Sequence, residues 1–189
     1  VPLSHLAERP LRLEERLKKV PDGQGGWTER RVKFPVWFDP YAKNGTPMCQ
    51  ALDLAAQMVR TWIDVHPSSF PPIVINITDG EATDGDPLRY AQQLRSFATD
   101  DGETLLFNVH LSSSEEPPLM LPDSVDALPR DTYALQLFQM SSTLPFTMRA
   151  AAEQEGYRVT MDTRGFVFNA DPVALVHFLE IGTRPSTLR

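Results

Sequence analysis

Four carboxylates crowd one stretch of eight residues, Asp79-Gly80-Glu81-Ala82-Thr83-Asp84-Gly85-Asp86. Like charges this close repel unless they are solvated or share a cation. Hard cations such as Mg²⁺ and Ca²⁺ take oxygen ligands of this kind. The alternative is a solvated acidic loop in which Asp79 and Asp86 are turn and helix-capping residues. An EF-hand is excluded: counted from Asp79, the position that needs Gly holds Asp84 and the one that needs Glu holds Tyr90. A second loop, Asp39 to Thr46, also follows an apolar run. Ligand sites in open parallel sheets form beyond the carboxyl ends of strands, where both loops are expected.

Other chemistries lack their residues. Gly23-Gln24-Gly25-Gly26 has no strand leading into it and no third glycine opening a helix, so it is a flexible loop and not a dinucleotide fingerprint. There is no Walker lysine motif and no Gly-x-Ser-x-Gly elbow. The four histidines, His5, His66, His110 and His177, are scattered. His110 could face the carboxyl edge of the sheet but reads rather as a structural histidine at a strand end, and His177 as half-buried on an apolar helical face. Asn44-Gly45-Thr46 and Asn76-Ile77-Thr78 fit the glycosylation pattern, but the second falls in a buried strand and is expected to be inert.

The elements that must position these loops alternate along the chain. Val1 to Leu3 is a short extended piece and Pro10 to Lys19 a charged, helix-like stretch. Val32 to Phe38 reads as a strand, and Pro35 within it points to a sheet edge or bulge. Thr46 is the expected N-cap, and Pro47 the first residue, of a helix running to about Val65. Its apolar face is Met48, Ala51, Leu52, Ala55, Val59, Trp62 and Ile63. Ile73 to Thr78 and Thr104 to Leu111 lack alternation, as adjacent parallel strands buried on both faces do, the first of them central in the sheet. Between them Asp86-Pro87 opens a helix with Leu88, Ala91, Leu94, Phe97 and Ala98 inward. Ser112 to Thr132 reads as a long surface loop. Helices follow over Leu135 to Met140 and Pro145 to Glu155, then a strand over Gly165 to Asn169. A last helix, opened by Asp171-Pro172 and closed by Gly182, ends near Ile181.

This order argues for one layered α/β domain with a mostly parallel sheet, right-handed crossovers and helices on both faces. The formal net charge is −7 and no basic stripe interleaves with aromatics, which disfavours nucleic acid as a partner. No apolar run approaches the roughly 18 residues of a membrane span. Cys49 is the one cysteine, so no disulfide can form within the chain, and its place in a helical apolar pattern makes it a core thiol. A cytoplasmic setting is expected, although the chain opens on Val1 and a signal peptide could lie upstream.

Gly45-Thr46-Pro47-Met48 opening an amphipathic helix, followed by Ile73 to Asp79 ending in Thr-Asp-Gly-Glu, resembles von Willebrand factor A-type domains, in their bacterial intracellular form. "KFPVWFDP" and "NITDGEATDGDP" add to the likeness, which spans about Val32 to Gly182. The resemblance implies a three-layer Rossmann-like fold with a metal-ion-dependent adhesion site made by three loops. The first carries Asp-x-Ser-x-Ser, the second a Thr matched by Thr46, and the third an Asp matched by Asp79. No Asp-x-Ser-x-Ser occurs here, so residues 1–189 are expected to be the C-terminal portion of one such domain. Its first strand, first helix and second strand would be absent, and sheet edges left unpaired. The implied cofactor is Mg²⁺, or Mn²⁺ or Ca²⁺, bound weakly by two loops out of three. The implied partner is a protein that offers an Asp or Glu carboxylate to the metal. The implied role is binding, not catalysis. The rival readings are a metal-dependent phosphatase-like hydrolase using the Asp79 loop, and a scaffolding domain with no working metal site.

Overall fold

The computed structural model describes residues 9–21, 23, 26–42 and 45–183. The expected extended piece at Val1 to Leu3, most of the 22–26 loop and Asn44 lie outside them. The chain divides into two compact units, Val1–Asn44 and Gly45–Arg189.

In the first unit, β1 (Arg12–Pro21) and β2 (Trp27–Val36) pair antiparallel along their whole length, from Arg12 opposite Val36 to Pro21 opposite Trp27. The helix expected over Pro10 to Lys19 is therefore a strand. Leu13, Leu17 and Val20 are spaced like a helical face, but cross-strand pairing outweighs that weak local preference. Charges support the ladder: Arg12 and Arg16 both bond Glu14, and the Arg16 guanidinium lies 4.0 Å from the centre of the Phe34 ring. Pro35 is tolerated because a two-stranded sheet consists only of edges.

The second unit is mixed α/β. Its elements are α1 (Met48–Val65), β3 (Ile73–Thr78), α2 (Leu88–Ser96), β4 (Ala98–Thr99), β5 (Gly102–Glu103), β6 (Leu105–His110), β7 (Leu119–Met120), α3 (Thr132–Met140), α4 (Phe146–Gln154), β8 (Phe166–Phe168) and α5 (Pro172–Thr183). The four-stranded sheet has the order β3-β6-β8-β7. β3, β6 and β8 run parallel, and β7 is antiparallel to β8. The expected parallel neighbours are thus present, with Ile73 opposite Leu105 and Thr78 opposite His110.

Pleat parity divides the core. Leu106, Phe166 and Phe168 join Leu52 and Val59 of α1, Leu94 of α2 and Leu137 of α3. Leu105, Phe107, Val109 and Val167 join Met148 of α4 and Phe178 of α5. The buried amide of Asn108 is satisfied on the first side: it accepts from Asn76 and donates to the Leu137 carbonyl and the Ser141 hydroxyl. That bond occupies Asn76, the residue of the second glycosylation pattern.

Several expectations change. β3 is an edge strand of the described sheet and only half-buried: Val74 packs into one side of the core, Ile73 and Ile75 into the other, and Ile77 is exposed. Trp62 is 39% exposed and stacks on His66, because the buried face steps from Leu52 to Ala56, Val59 and Ile63 and leaves Trp62 to one side. Phe97 is half-buried just beyond α2, and Ala98 belongs to a short hairpin. The 112–132 segment contains β7 and a 3-10 turn over Val125–Ala127. α3 starts at Thr132 because the Asp131 carboxylate accepts from the Tyr133 and Ala134 N–H groups. His177 is exposed and not half-buried.

Phe107 and Gly165 give a test of this core. Phe107 is fully enclosed, and a Cβ at Gly165 would lie 2.1 Å from its ring. Phe107→Ala should cost about 3–5 kcal/mol. Gly165→Ala should cost about 1–3 kcal/mol by overpacking. Trp62→Ala should cost less than either. Urea melts of the three variants check this ranking.

Candidate metal site at the carboxyl edge of the sheet

Gly45 and Thr46, which end the first of the two loops singled out by sequence, meet the acidic loop beyond the end of β3. The Thr46 N–H donates to the Thr83 hydroxyl at 2.9 Å, and the Thr83 N–H donates to the Thr46 carbonyl at 3.0 Å. Gly45, at φ +88°, lies against this pair, and a Cβ there would meet the Thr83 Oγ1 at 2.6 Å. Glycine is therefore required on steric and conformational grounds alike.

Thr46 does not cap α1. The residue before the helix is Pro47, which has no capping side chain. The cap comes from the acidic loop instead: Asp84 accepts from the Cys49 N–H at 3.0 Å and the Gln50 N–H at 2.9 Å. These are the second and third helical residues, whose N–H groups have no partner within the helix. Asp84 fills a capping position from 35 residues away in sequence.

This use of Asp84 has electrostatic consequences. Partial loss of solvent pushes its carboxyl up, but the bonds from Cys49 and Gln50 outweigh that and hold it below its ordinary value of 3.8. Cys49 is buried, and loss of solvent pushes its thiol up, with the Asp84 carboxylate adding to the rise. It is the core thiol its apolar setting implied.

Asp79 stands differently. It is exposed at the end of β3, and among the described residues its carboxylate has only a long contact, 3.5 Å, with the Thr78 hydroxyl. That hydroxyl accepts from the Gly80 N–H at 3.1 Å, which tightens the turn. Gly80 has φ +96°, and a Cβ there would lie 2.6 Å from the Tyr133 Cβ and 2.9 Å from the His110 Nε2. His110, buried at the end of β6, holds the turn from behind through its Nε2, 2.8 Å from the Asp79 carbonyl oxygen.

Of the other loop carboxylates, Asp86 accepts from the Leu88 N–H at the start of α2, as expected of a helix-opening residue. Glu81 is exposed. Asp39, in the preceding loop, is ion-paired with Arg12. Among the described residues no hydrogen bond joins Thr46 to Asp79, and no group of three or more His, Cys, Asp or Glu residues is placed to hold a metal ion. The oxygens left open at this edge are hard donors, which suit a cation that keeps most of its water.

Sequence reasoning placed the acidic loop at this edge but did not find Asp84 as the α1 cap, Thr83 as the partner of Thr46 or His110 as the support of the Asp79 turn. Comparisons with protein-family models, curated proteins and solved structures yield no match.

The Asp84 cap predicts a pH dependence. A carboxylate held below its ordinary value stabilises the fold above the unfolded pKa, and that stability is lost as pH falls through the folded value. Asp84→Ala should lower the urea midpoint at pH 7, with Asp84→Asn intermediate because its amide oxygen still accepts. The gap between wild type and Asp84→Ala should be constant above about pH 5 and shrink below about pH 4. Thr46→Ala, which removes no cap, should leave the midpoint near wild type.

Proposed function

We propose that this chain is a divalent-metal-dependent, adhesion-site-type protein-binding module of the von Willebrand factor A kind, and not an enzyme. The observation that carries the reading is the pairing of the Thr46 loop with the Asp79 loop at the carboxyl end of β3, through Thr46 and Thr83. Thr46 and Asp79 are the proposed metal-binding residues. Two further observations support it. The Asp79 carboxylate is exposed while its neighbour Asp84 is consumed by the α1 cap. Helices also line both sides of the sheet, as a three-layer Rossmann-like arrangement requires.

The expected cation is Mg²⁺, with Mn²⁺ or Ca²⁺ as substitutes. The Thr46 hydroxyl is neutral, so an ion held by it and one carboxylate keeps residual positive charge. That charge and an open coordination position attract an Asp or Glu carboxylate from a partner protein. In this reading a further strand carrying Asp-x-Ser-x-Ser lies beside β3, whose outer edge ends the described sheet. Two loops alone preorganise few oxygens, so affinity in residues 1–189 is expected to be weak.

Titration calorimetry with Mg²⁺ tests the reading. Asp79→Ala and Thr46→Ala should weaken binding by about tenfold or more, while Thr46→Ser, which keeps the hydroxyl, stays near wild type. An aspartate-containing peptide should bind only when Mg²⁺ is present. Affinity unaffected by Asp79→Ala would overturn the proposal, and Mg²⁺-dependent turnover of an aryl phosphate would favour a hydrolase instead.

A further inference from the structure

His110 lies outside the proposed metal-binding pair, yet it touches the backbone of one of its members. The residue is 2% exposed and ends the central part of the sheet. Its ring lies 5.2 Å from that of Phe168, centre to centre, and its Nε2 is 2.8 Å from the Asp79 carbonyl oxygen. A carbonyl oxygen only accepts, so the Nε2 must carry the proton that makes this bond. Among the described residues the buried Nδ1 has no hydrogen-bond partner, so the Nε2–H is the ring's one contact of this kind.

That bond fixes one side of the Asp79–Gly80 peptide. The Gly80 N–H on the other side donates to the Thr78 hydroxyl. A peptide bonded at both its carbonyl and its N–H is held in place, which fixes the Asp79 backbone and the bond from its Cα to its Cβ. Gly80 completes the arrangement, since a Cβ would displace either the ring or Tyr133.

We infer that His110, through the bond from its Nε2–H to the Asp79 carbonyl, is the positioning residue that holds Asp79 where its carboxylate can meet a hydrated divalent cation. This rests on the adhesion-site reading of Asp79. Residues that orient a metal ligand without touching the metal typically account for about 10–100-fold in affinity.

The experiment uses the whole chain with Mn²⁺ as the probe ion. Long-range ¹H–¹⁵N correlation of the histidine rings reads the tautomer without metal, and Mn²⁺ titration reads affinity. The expected result is a proton on the His110 Nε2 in wild type and in Asp79→Ala alike. His110→Phe should lose about tenfold in Mn²⁺ affinity. His110→Gln, whose side-chain amide can donate in place of the Nε2–H, should recover much of it. Far-ultraviolet circular dichroism and urea melts confirm that each variant is folded. A His110 ring with no proton on Nε2, or a folded His110→Phe that binds Mn²⁺ as wild type does while Asp79→Ala does not, would overturn the inference alone. Wild type and Asp79→Ala binding equally, or wild type not binding at all, would overturn the adhesion-site reading and the positioning role with it.

Discussion

The carboxylate of Asp84 on the first turn of α1 is the contact from which the geometry of the carboxyl edge follows. A helix start leaves N–H groups that need acceptors, and here they find one in a loop beyond the next strand. The bond carries charge on the acceptor side, which makes it stronger than a neutral cap. It ties the 79–86 loop to α1, and α1 packs on the same side of the sheet as Leu106 and Phe168. The two bonds between Thr46 and Thr83, one to the Thr83 hydroxyl and one to the Thr46 carbonyl, then follow at short range.

This arrangement sorts the four loop carboxylates by use. Asp84 serves α1, Asp86 serves α2, and Asp79 is left facing solvent above a peptide braced by His110 and Thr78. Repulsion within the loop is thereby reduced, because two of the charges are matched to helix starts where negative charge is favourable. A loop that looks like one acidic cluster is, in structure, two caps and one open carboxylate, with Glu81 exposed beside them.

The parallel core behind this edge has few polar exceptions, and they are organised. Asn76 and Asn108 bond each other across β3 and β6, and Asn108 reaches on to α3. His110, two residues further along β6, faces the same side and bonds the Asp79 turn. A line of buried hydrogen bonding thus runs along one face of the sheet to the candidate site. Buried polar groups of this kind are costly when unpaired, so they fix register more sharply than apolar packing alone.

The sequence by itself determined the elements whose signals are local. The apolar runs at Ile73 to Thr78 and Thr104 to Leu111 became parallel neighbours, because β-branched residues without alternation need cover on both faces. The helices opened by Asp86-Pro87 and Asp171-Pro172 began as their capping chemistry required. Tertiary structure decided what depends on distant partners. Arg12 to Pro21 has helical spacing but became a strand because β2 pairs with it residue by residue. Thr46 looked like a cap, yet the cap is Asp84, which reaches the start of α1 only when the loop after β3 folds back against it. Ile73 to Thr78 looked central, yet it ends the described sheet, since pattern reports covered faces and not paired edges. The brace of His110 on Asp79 could not be read from spacing either, because the two residues meet only when their strands lie side by side.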